Sequence, residues 1–321
     1  MQIANPIYDA VFKFMMNDNK VAKLLLSAIL GEEIIELKFR PTEFNIPLKE
    51  ALTVLKMDFS ALVKHSDGSE KLVIIEIQKA KLHTDIMRFR RYLGKQYLDE
   101  NNAVEVETIR GIKRQKAFPI ISIYFLGQAL ENTPNIPVIK VARQYINLAT
   151  GEALSHKEEF IESLTHDSYV IQIPFIEGNR GTELEQVLSI FDQKNIDKDY
   201  HILNVKEEDF SEKYKPVIRR LIHAVVDKQT RDYMSAEDEI IGELQAYARL
   251  INEKEVELRK VNEEKQAAEK EKQAVEKEKQ AAELTINNTV KHLHTGGMSI
   301  RQISKITGLT NEKIQQIITS K

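Results

Sequence analysis

The sequence predicts an α/β domain followed by a long helix and a small helical hairpin. From Asn5 to about Leu30 apolar residues recur at helical spacing, and two strand-like runs, a further helix and a buried strand follow. From about Glu237 to Glu283 the composition changes to Glu, Lys, Gln and Ala, with no glycine after Gly242 and no proline. Such a composition is typical of a long, solvated helix.

The composition indicates a soluble globular protein and excludes several kinds of site. Of the 321 residues, 30% are charged and 42% hydrophobic, and the formal net charge is -3. Nucleic-acid binding would therefore need a local basic patch. The absence of cysteine excludes disulfides, zinc–thiolate sites, iron–sulfur clusters and cysteine nucleophiles. The sequence has no signal-peptide pattern and no apolar stretch of membrane-spanning length, so we expect a cytoplasmic protein without membrane contact.

The elements of the first part follow from their apolar patterns. The helical run ends at about Leu30 and has a possible break at Asp18. Two strands, 56–63 and 71–79, are joined by a polar loop that contains Gly68. The remaining expected elements are a helix from about 84 to 98, a buried strand over 117–126 entered through Pro119, and strands near 139–147 and 169–175.

The long helix is expected to be a spacer or a weak coiled coil. A near-exact seven-residue repeat places Ala268, Val275 and Ala282 on one stripe, and the preceding turns carry larger apolar residues at 3-and-4 spacing. A homo-oligomer could form through this helix. The sequence therefore predicts an α/β domain over 1–235, a charged helical spacer or coiled coil over 236–289, and a tail over 290–321.

The tail has a helix-turn-helix pattern. One apolar helical face is interrupted by Gly308, and Thr310 or Asn311 can cap a second apolar helix. This pattern is typical either of a DNA-binding hairpin or of a two-helix plug that packs on the coil. Only Lys313 and Lys321 are basic in or beyond the second helix, which weakens the DNA-binding interpretation.

Two acidic residues, Asp58 and Glu76, lie inside the apolar strands, where an uncompensated charge is costly. A three-residue turn with Gly68 in the left-handed conformation would place Asp58 opposite Glu76. A two-residue Asp67-Gly68 turn would instead place Asp58 opposite Ile77, with the carboxylates on different faces. Hydrophobic alternation favours the first register, because it collects the apolar residues of both strands on one face. Four polar residues then share the other face: Asp58, Ser60, Glu76 and Gln78.

Two adjacent carboxylates and the main-chain carbonyl of Ile77 form an oxygen-rich site that suits Mg²⁺ or Mn²⁺. Such a cation can polarise a phosphoryl group, lower the pKa of a bound water and offset charge on the leaving oxygen. This chemistry is phosphodiester hydrolysis. The alternative is a structural strand pair in which Lys56, Lys79 or Arg88 neutralises the carboxylates.

The pattern of Asp58 in one strand and Glu76-Ile77-Gln78 in the next resembles the core of PD-(D/E)XK nucleases. It is most similar to the branch called PD-(D/E)XK nuclease family transposases or recombination-promoting nucleases, which the segment from Asp9 to Lys13 and the later Arg88 and Tyr92 also resemble. The resemblance covers about residues 4–235. It implies a restriction-endonuclease-like core with a mixed sheet flanked by helices. It also implies that Asp58, Glu76 and the Ile77 carbonyl are metal ligands and that Asp9 is an accessory acid.

Gln78 departs from the general superfamily pattern, which ends in lysine, although the closest branch often carries glutamine. A glutamine can orient a water or donate a hydrogen bond to the scissile phosphate, but it supplies no positive charge. Slow or conditional activity is therefore expected. Lys79 should point to the opposite face of the strand, whereas Lys13, one turn beyond Asp9, could bring the missing charge.

Basic residues near the motif are candidates for phosphate contacts with DNA. Taken alone, basic helix faces are usually solvated surface, and it is their closeness to the carboxylates that favours DNA binding. The candidates are Arg88, Arg91, Tyr92 and Lys95 after the motif, and Arg110, Lys113 and Arg114 before the next strand.

The sequence thus predicts a metal-dependent DNA endonuclease associated with transposition or recombination. The alternative is a catalytically weak or inactive nuclease-fold protein that binds DNA or other partners and assembles through its coiled coil.

Overall fold

The computed structural model describes residues 1–40, 55–64, 68, 70–80, 86–107, 111, 113–177 and 181–320, without the side chain of Arg88. The chain divides into two compact units, Met1–Gly242 and Glu243–Lys321. No helix in the described part of the chain is long and apolar enough to cross a membrane.

The described strands all belong to the first unit. They are β1 Gln2–Ala4, β2 Glu33–Arg40, β3 Leu55–Lys64, β4 Glu70–Ala80, β5 Ala103–Glu107, β6 Lys113–Ala117, β7 Ile120–Leu126, β8 Val138–Val141, β9 Tyr145–Ile146, β10 Ala153–Leu154, β11 His166–Gln172 and β12 Ile202–Asn204. The described helices are α1 Asp9–Met16, α2 Asn19–Leu30, α3 Ile86–Leu98, α4 Glu159–Leu164, α5 Glu183–Leu188, α6 Lys215–Val226, α7 Lys228–Thr295, α8 Ile300–Thr307 and α9 Asn311–Thr319.

A six-stranded mixed sheet in the described residues forms the centre of the first unit, in the order β2-β3-β4-β7-β11-β8. Strand β3 is antiparallel to β2 and β4, β7 is parallel to β4 and β11, and β8 is antiparallel to β11. The parallel pair of β4 and β7 is possible because the connection between them includes α3, as parallel pairing requires a crossover. The prediction of an α/β first part is confirmed.

The two faces of this sheet differ in polarity. Helices α1, α2 and α6 pack on one face in a large apolar core, to which they contribute Phe12, Leu25 and Leu221. Each such buried side chain stabilises the fold by roughly 1.5–3 kcal/mol relative to an exposed one. On the other face, Phe89 and Tyr92 of α3 belong to a smaller apolar cluster. Polar side chains therefore have room on the α3 face.

The first helical run divides at the residue that the sequence indicated. The side chain of Asp18 accepts hydrogen bonds from the main-chain N–H groups of Lys20 and Val21, so α2 begins at Asn19. Acceptance of these otherwise unpaired N–H groups is what stabilises a helix start. The expected break at Asp18 is confirmed.

The hairpin of β3 and β4 contains Gly68 with φ 83°, the left-handed conformation that glycine adopts without steric cost. Lys64 is opposite Glu70, as the three-residue turn requires. The expected pairing of His65 with Ser69 lies outside the described residues.

Helix α7 has 68 residues and begins at Lys228, before the expected start at 236. Its start is earlier because the side chain of Asp227 accepts a hydrogen bond from the main-chain N–H of Thr230 at 2.8 Å, which caps the helix there. From residue 245 to residue 286 every side chain is exposed, including the Ala268–Val275–Ala282 stripe.

The two short helices of the tail are present as predicted. Gly308 ends α8 in the left-handed conformation, with φ 72°. The Oγ1 atom of Thr310 accepts a hydrogen bond from the main-chain N–H of Lys313, so Thr310 rather than Asn311 caps α9.

Candidate active site

Asp58 and Glu76 are directly opposed partners on β3 and β4. The apolar neighbours Met57 and Ile77 form the adjacent opposed pair and belong to the core on the other face. The predicted register is confirmed. It follows from strand geometry alone, because successive side chains point to opposite faces and a slip by one residue would expose the apolar set.

The row of opposed residues continues across the sheet. Asp58 is opposite Arg40 of β2, Glu76 is opposite Ser122 of β7, and Ser122 is opposite Ser168 of β11. Opposed residues on neighbouring strands point to the same face. The α3 face thus carries a polar row that crosses five adjacent strands of the described sheet.

Glu76 and Gln78 are fully buried, and Asp58 is 4% exposed. The Nε2 group of Gln78 donates hydrogen bonds to Oε1 of Glu76 at 2.8 Å and to the carbonyl of Phe89 at 3.3 Å. Within the described part of the chain, Oε2 of Glu76 and Oε1 of Gln78 have no hydrogen-bond partner. A buried oxygen in this situation costs about 1–3 kcal/mol, so both atoms suit a cation or a water molecule.

Lys56 is the member of this cluster whose contribution the sequence did not reveal. It is directly opposite Gln78, and its side chain is 4% exposed. Its Nζ atom lies 3.1 Å from Oδ2 of Asp58 and 5.6 Å from the centre of the Tyr92 ring. The signal was its position two residues before Asp58, which puts both side chains on one face. From the sequence, Lys56 was expected only as a structural counter-ion of the carboxylates.

The pKa of Glu76 is strongly perturbed. Burial raises the pKa to about 8; the Lys56 ammonium and the hydrogen bond from Gln78 act against this rise, and the Asp58 carboxylate adds to it. At neutral pH without a metal, Glu76 is therefore mainly protonated. The Lys56–Asp58 ion pair then lies beside a neutral carboxylic acid.

Two tyrosines lie near Glu76. Burial raises the pKa values of Tyr97 and Tyr124, and the charge of Glu76 contributes in the same direction. The hydroxyl group of Tyr97 is 2.8 Å from Nδ1 of His166. Tyr97 is 40% exposed, whereas Tyr124 and His166 are half-buried. Of these three residues, Tyr97 is therefore the one most accessible to solvent.

Asp9 and Lys13 are not brought to this cluster, which corrects the expectation for both. Lys79 points to the opposite face of β4, as predicted, where its ammonium pairs with Asp9 and donates to the Ile7 carbonyl at 2.5 Å. Helix α1 packs in the apolar core on that face, and Lys13 is exposed. Asp9 is therefore the ion-pair partner of Lys79 and does not belong to the cluster of Glu76.

The DNA-contact candidates have different surroundings. Tyr92 is 2% exposed and belongs to the buried cluster under α3, so it shapes the site instead of presenting a surface, contrary to expectation. Arg91 is exposed and Lys95 is half-buried. The side chain of Arg88 and the whole of Arg110 lie outside the described residues.

Two residues of the basic run before β7, Lys113 and Arg114, are paired with acids of other elements. Lys113 is 2.8 Å from Glu105 on the neighbouring strand β5, and Arg114 is 2.8 Å from Glu159 on α4. These pairs are largely exposed, and such pairs contribute little to stability. Their cations can therefore exchange partners at low cost.

The donor set of the cluster is small. In the described part of the chain no group of three or more His, Asp or Glu side chains is placed to hold a metal ion. Ile77 lies in a strand that is paired on both sides, with Met57 and with Ile123. Its carbonyl oxygen has two lone pairs, so it can accept a hydrogen bond within the sheet and still have one lone pair for a second partner.

No family model matches the chain, and neither a curated protein nor a solved structure is significantly similar to it. The chemistry of the cluster is therefore inferred from its residues and their geometry.

Proposed function

We propose that the first unit is a metal-dependent DNA endonuclease with a restriction-endonuclease-like core of the PD-(D/E)XK type. The observation that carries this proposal is the direct opposition of the buried carboxylates of Asp58 and Glu76, beside Lys56 and Gln78. Nucleases of this type need two carboxylates, a cation and a lysine or its substitute at one point of a sheet. The association with transposition or recombination rests on the resemblance of the Asp58 and Glu76-Ile77-Gln78 pattern.

The residues fit Mg²⁺ or Mn²⁺. Asp58 and Glu76 would supply carboxylate oxygens, and Ile77 its carbonyl. A small protein donor set suits Mg²⁺, which keeps several water ligands and uses one or two carboxylates. When bound, the cation would polarise the scissile phosphate and lower the pKa of a water molecule.

Lys56 takes over the role of the missing motif lysine. Its ammonium is held beside Asp58 and is directly opposite the position that Gln78 occupies. A buried, oriented cation stabilises negative charge that develops on a phosphoryl group more strongly than a hydrated one does. Lys56 thus supplies the charge that Gln78 lacks.

Gln78 orients water. Its Nε2 group is fixed by Glu76 and by the carbonyl of Phe89, so its Oε1 atom has a defined direction. This oxygen has no hydrogen-bond partner among the described residues and can accept one from a water molecule. Such fixed acceptors position a nucleophile without reorganisation during the reaction.

A cleavage assay tests the proposal. Purified protein is incubated with supercoiled plasmid in Mg²⁺, in Mn²⁺, in Ca²⁺ and in EDTA. The proposal requires nicked or linear product with Mg²⁺ or Mn²⁺ and none with EDTA. Product in EDTA, or none with any cation, contradicts it.

A second candidate function is favoured by the Lys56–Asp58 ion pair, which neutralises Asp58 without a metal. In this case the nuclease fold is an inactive platform that binds DNA or other partners. Titration calorimetry separates the two: the nuclease binds Mn²⁺ at Asp58 and Glu76, and the inactive platform does not.

Helix α7 is the segment through which two copies of the chain would associate. Its exposed apolar residues follow the 3-and-4 spacing of a coiled-coil seam. They include Tyr247, Ile251, Leu258 and Val261, each 54–61% exposed. A second α7 would remove this stripe from water.

A further inference from the structure

We infer that the C-terminal helices form a second DNA-binding site, which docks on duplex DNA through α9. This site is independent of the proposed nuclease chemistry, because it uses only residues of the second unit.

The tail is a small packed unit and not merely two helices in sequence. Val290 of α7, Ile303 of α8, and Ile314 and Ile317 of α9 are buried together. The turn between the short helices is fixed, since Oγ of Ser304 donates a hydrogen bond to the carbonyl of Leu309 at 2.7 Å. A helix-turn-helix of this kind needs a third helix to close its core, and the end of α7 provides it.

The end of α9 is fastened to α7. Nζ of Lys291 donates a hydrogen bond to the carbonyl of Ser320 at 2.8 Å. At the other end, Thr310 caps the helix. Helix α9 is therefore held at both ends. A recognition helix on a rigid support places its side chains precisely.

The outer face of α9 is exposed in the described part of the chain. The inner residues Ile314 and Ile317 fill the core, whereas the outer residues are exposed and mostly polar. The outer residues are Asn311, Glu312, Lys313, Gln315, Gln316 and Thr319.

The side chains on this face match the edges of bases in the major groove. Asn and Gln form paired hydrogen bonds with adenine, and Lys donates to guanine. In a helix-turn-helix the residues near the start of the second helix make these contacts. Asn311 and Lys313 occupy that place, and Gln315 lies one turn beyond Asn311.

The charge of the tail is complementary to DNA. Residues 290–321 contain five lysine or arginine residues and a single glutamate, although the whole chain has a formal net charge of -3. Three of these cations, Lys291, Arg301 and Lys305, are on α7 and α8 and are exposed. The folded unit therefore presents more basic residues than the second helix alone does.

The test uses the full chain in EDTA, which stops any metal-dependent cleavage while binding is measured. Fluorescence anisotropy gives the affinity for a labelled duplex at several salt concentrations. The variant is Arg301→Glu with Lys305→Glu, two exposed residues of α8. The control is Lys270→Glu with Lys277→Glu, two exposed residues of α7 on the side away from its apolar stripe, with the same change in net charge.

The tail variant should bind about tenfold more weakly or worse, and the slope of log affinity against log salt should fall by about 2, one for each lost phosphate contact. The control should retain the affinity within about twofold, because Lys270 and Lys277 lie outside the tail of residues 290–321 that is proposed to contact DNA. A third variant, Gln315→Ala with Gln316→Ala, should keep the salt slope and weaken the preference for a selected sequence. Circular dichroism should show the same helix content for all of them.

Three results overturn the inference. The unchanged protein fails to bind duplex DNA in EDTA; or the tail and control variants lose affinity equally, or neither loses any; or an RNA hairpin competes better than duplex DNA. A failed cleavage assay leaves this measurement unaffected, so the two proposals are judged separately.

Discussion

Lys56 and Gln78 are directly opposed across β3 and β4, with the Lys56 ammonium 3.1 Å from Asp58. The lysine at 56 thus lies on the same face of the sheet as the glutamine at 78. Because opposed residues point to the same face of the sheet, we expect that a lysine at either position could bring its ammonium to the carboxylates.

The first prediction exchanges these residues. Lys56→Gln should reduce the rate of plasmid cleavage by about 100-fold or more, since it removes a charge that stabilises the transition state. Lys56→Gln combined with Gln78→Lys should recover a substantial part of the rate. Lys64→Gln, an exposed position on the same strand, is the control and should cleave normally. A double variant no faster than Lys56→Gln would mean that Lys56 acts only as the counter-ion of Asp58.

The second prediction concerns the stability of the metal-free protein. Asp58→Asn leaves the Lys56 ammonium buried without its carboxylate, and breaking a buried pair in this way costs about 3–5 kcal/mol. Urea unfolding in EDTA should show that loss. Glu76→Gln should lower the free energy of unfolding far less under the same conditions. Equal losses in the two variants would contradict the prediction that only Asp58 neutralises a buried lysine.

The third prediction is a pH dependence. The pKa of Glu76 is about 8 in the folded chain against an ordinary value of 4.5. The unfolded chain therefore releases this proton at lower pH, and the folded state loses stability as the pH rises from about 4.5 to about 8. In EDTA, the free energy of unfolding of Glu76→Gln should therefore increase relative to that of the unchanged protein as the pH rises over this range. A constant difference between the two would contradict the raised pKa.

The fourth prediction follows for metal binding. Because Glu76 is mainly protonated at pH 7, binding of Mn²⁺ should release nearly one proton. Calorimetric titrations in two buffers of different ionisation enthalpy measure this proton. Glu76→Gln should bind more weakly without any such release; release that persists in this variant would place the proton on another group.

The fifth prediction separates the two units by truncation. Glu237 accepts a hydrogen bond from the main-chain N–H of Asp9 at 2.8 Å, and Asp238 accepts one from the Tyr8 hydroxyl at 3.1 Å. A chain ending at Gly242 should therefore keep the melting temperature and the cleavage activity of the first unit. One ending at Met234 should be less stable by about 1–3 kcal/mol, since it loses these contacts to charged acceptors. Equal stability of both fragments would contradict this boundary.

The sequence predicted the central hairpin well, because alternation and one glycine determine its register. It did not reveal β2, whose alternation is disturbed where the register shifts between Ile34 and Glu36. Arg40, which is opposite Asp58, was missed for that reason. Strands β5 and β6 were also missed, since their charged residues are exposed on both faces.

The candidate site was predicted in part. Asp58, Glu76 and Gln78 share a face by local geometry, and this much is readable from spacing. The face on which α1 packs depends on long-range burial, and that contact puts Asp9 and Lys13 on the other side of the sheet. The burial of Lys56 and Tyr92 depends on how α3 packs on the sheet, so it could not be predicted from the sequence either.

The most direct test of the central claim is single-turnover cleavage of plasmid DNA in Mg²⁺ by the unchanged protein, by Glu76→Gln and by Glu70→Gln. Glu70 is exposed on the same strand, so this variant controls for the loss of one carboxylate. We predict that Glu70→Gln cleaves at the rate of the unchanged protein. The Glu76→Gln protein should stay folded but leave the plasmid supercoiled. Equal cleavage by all three proteins would show that the carboxylate pair of Asp58 and Glu76 is not the active site.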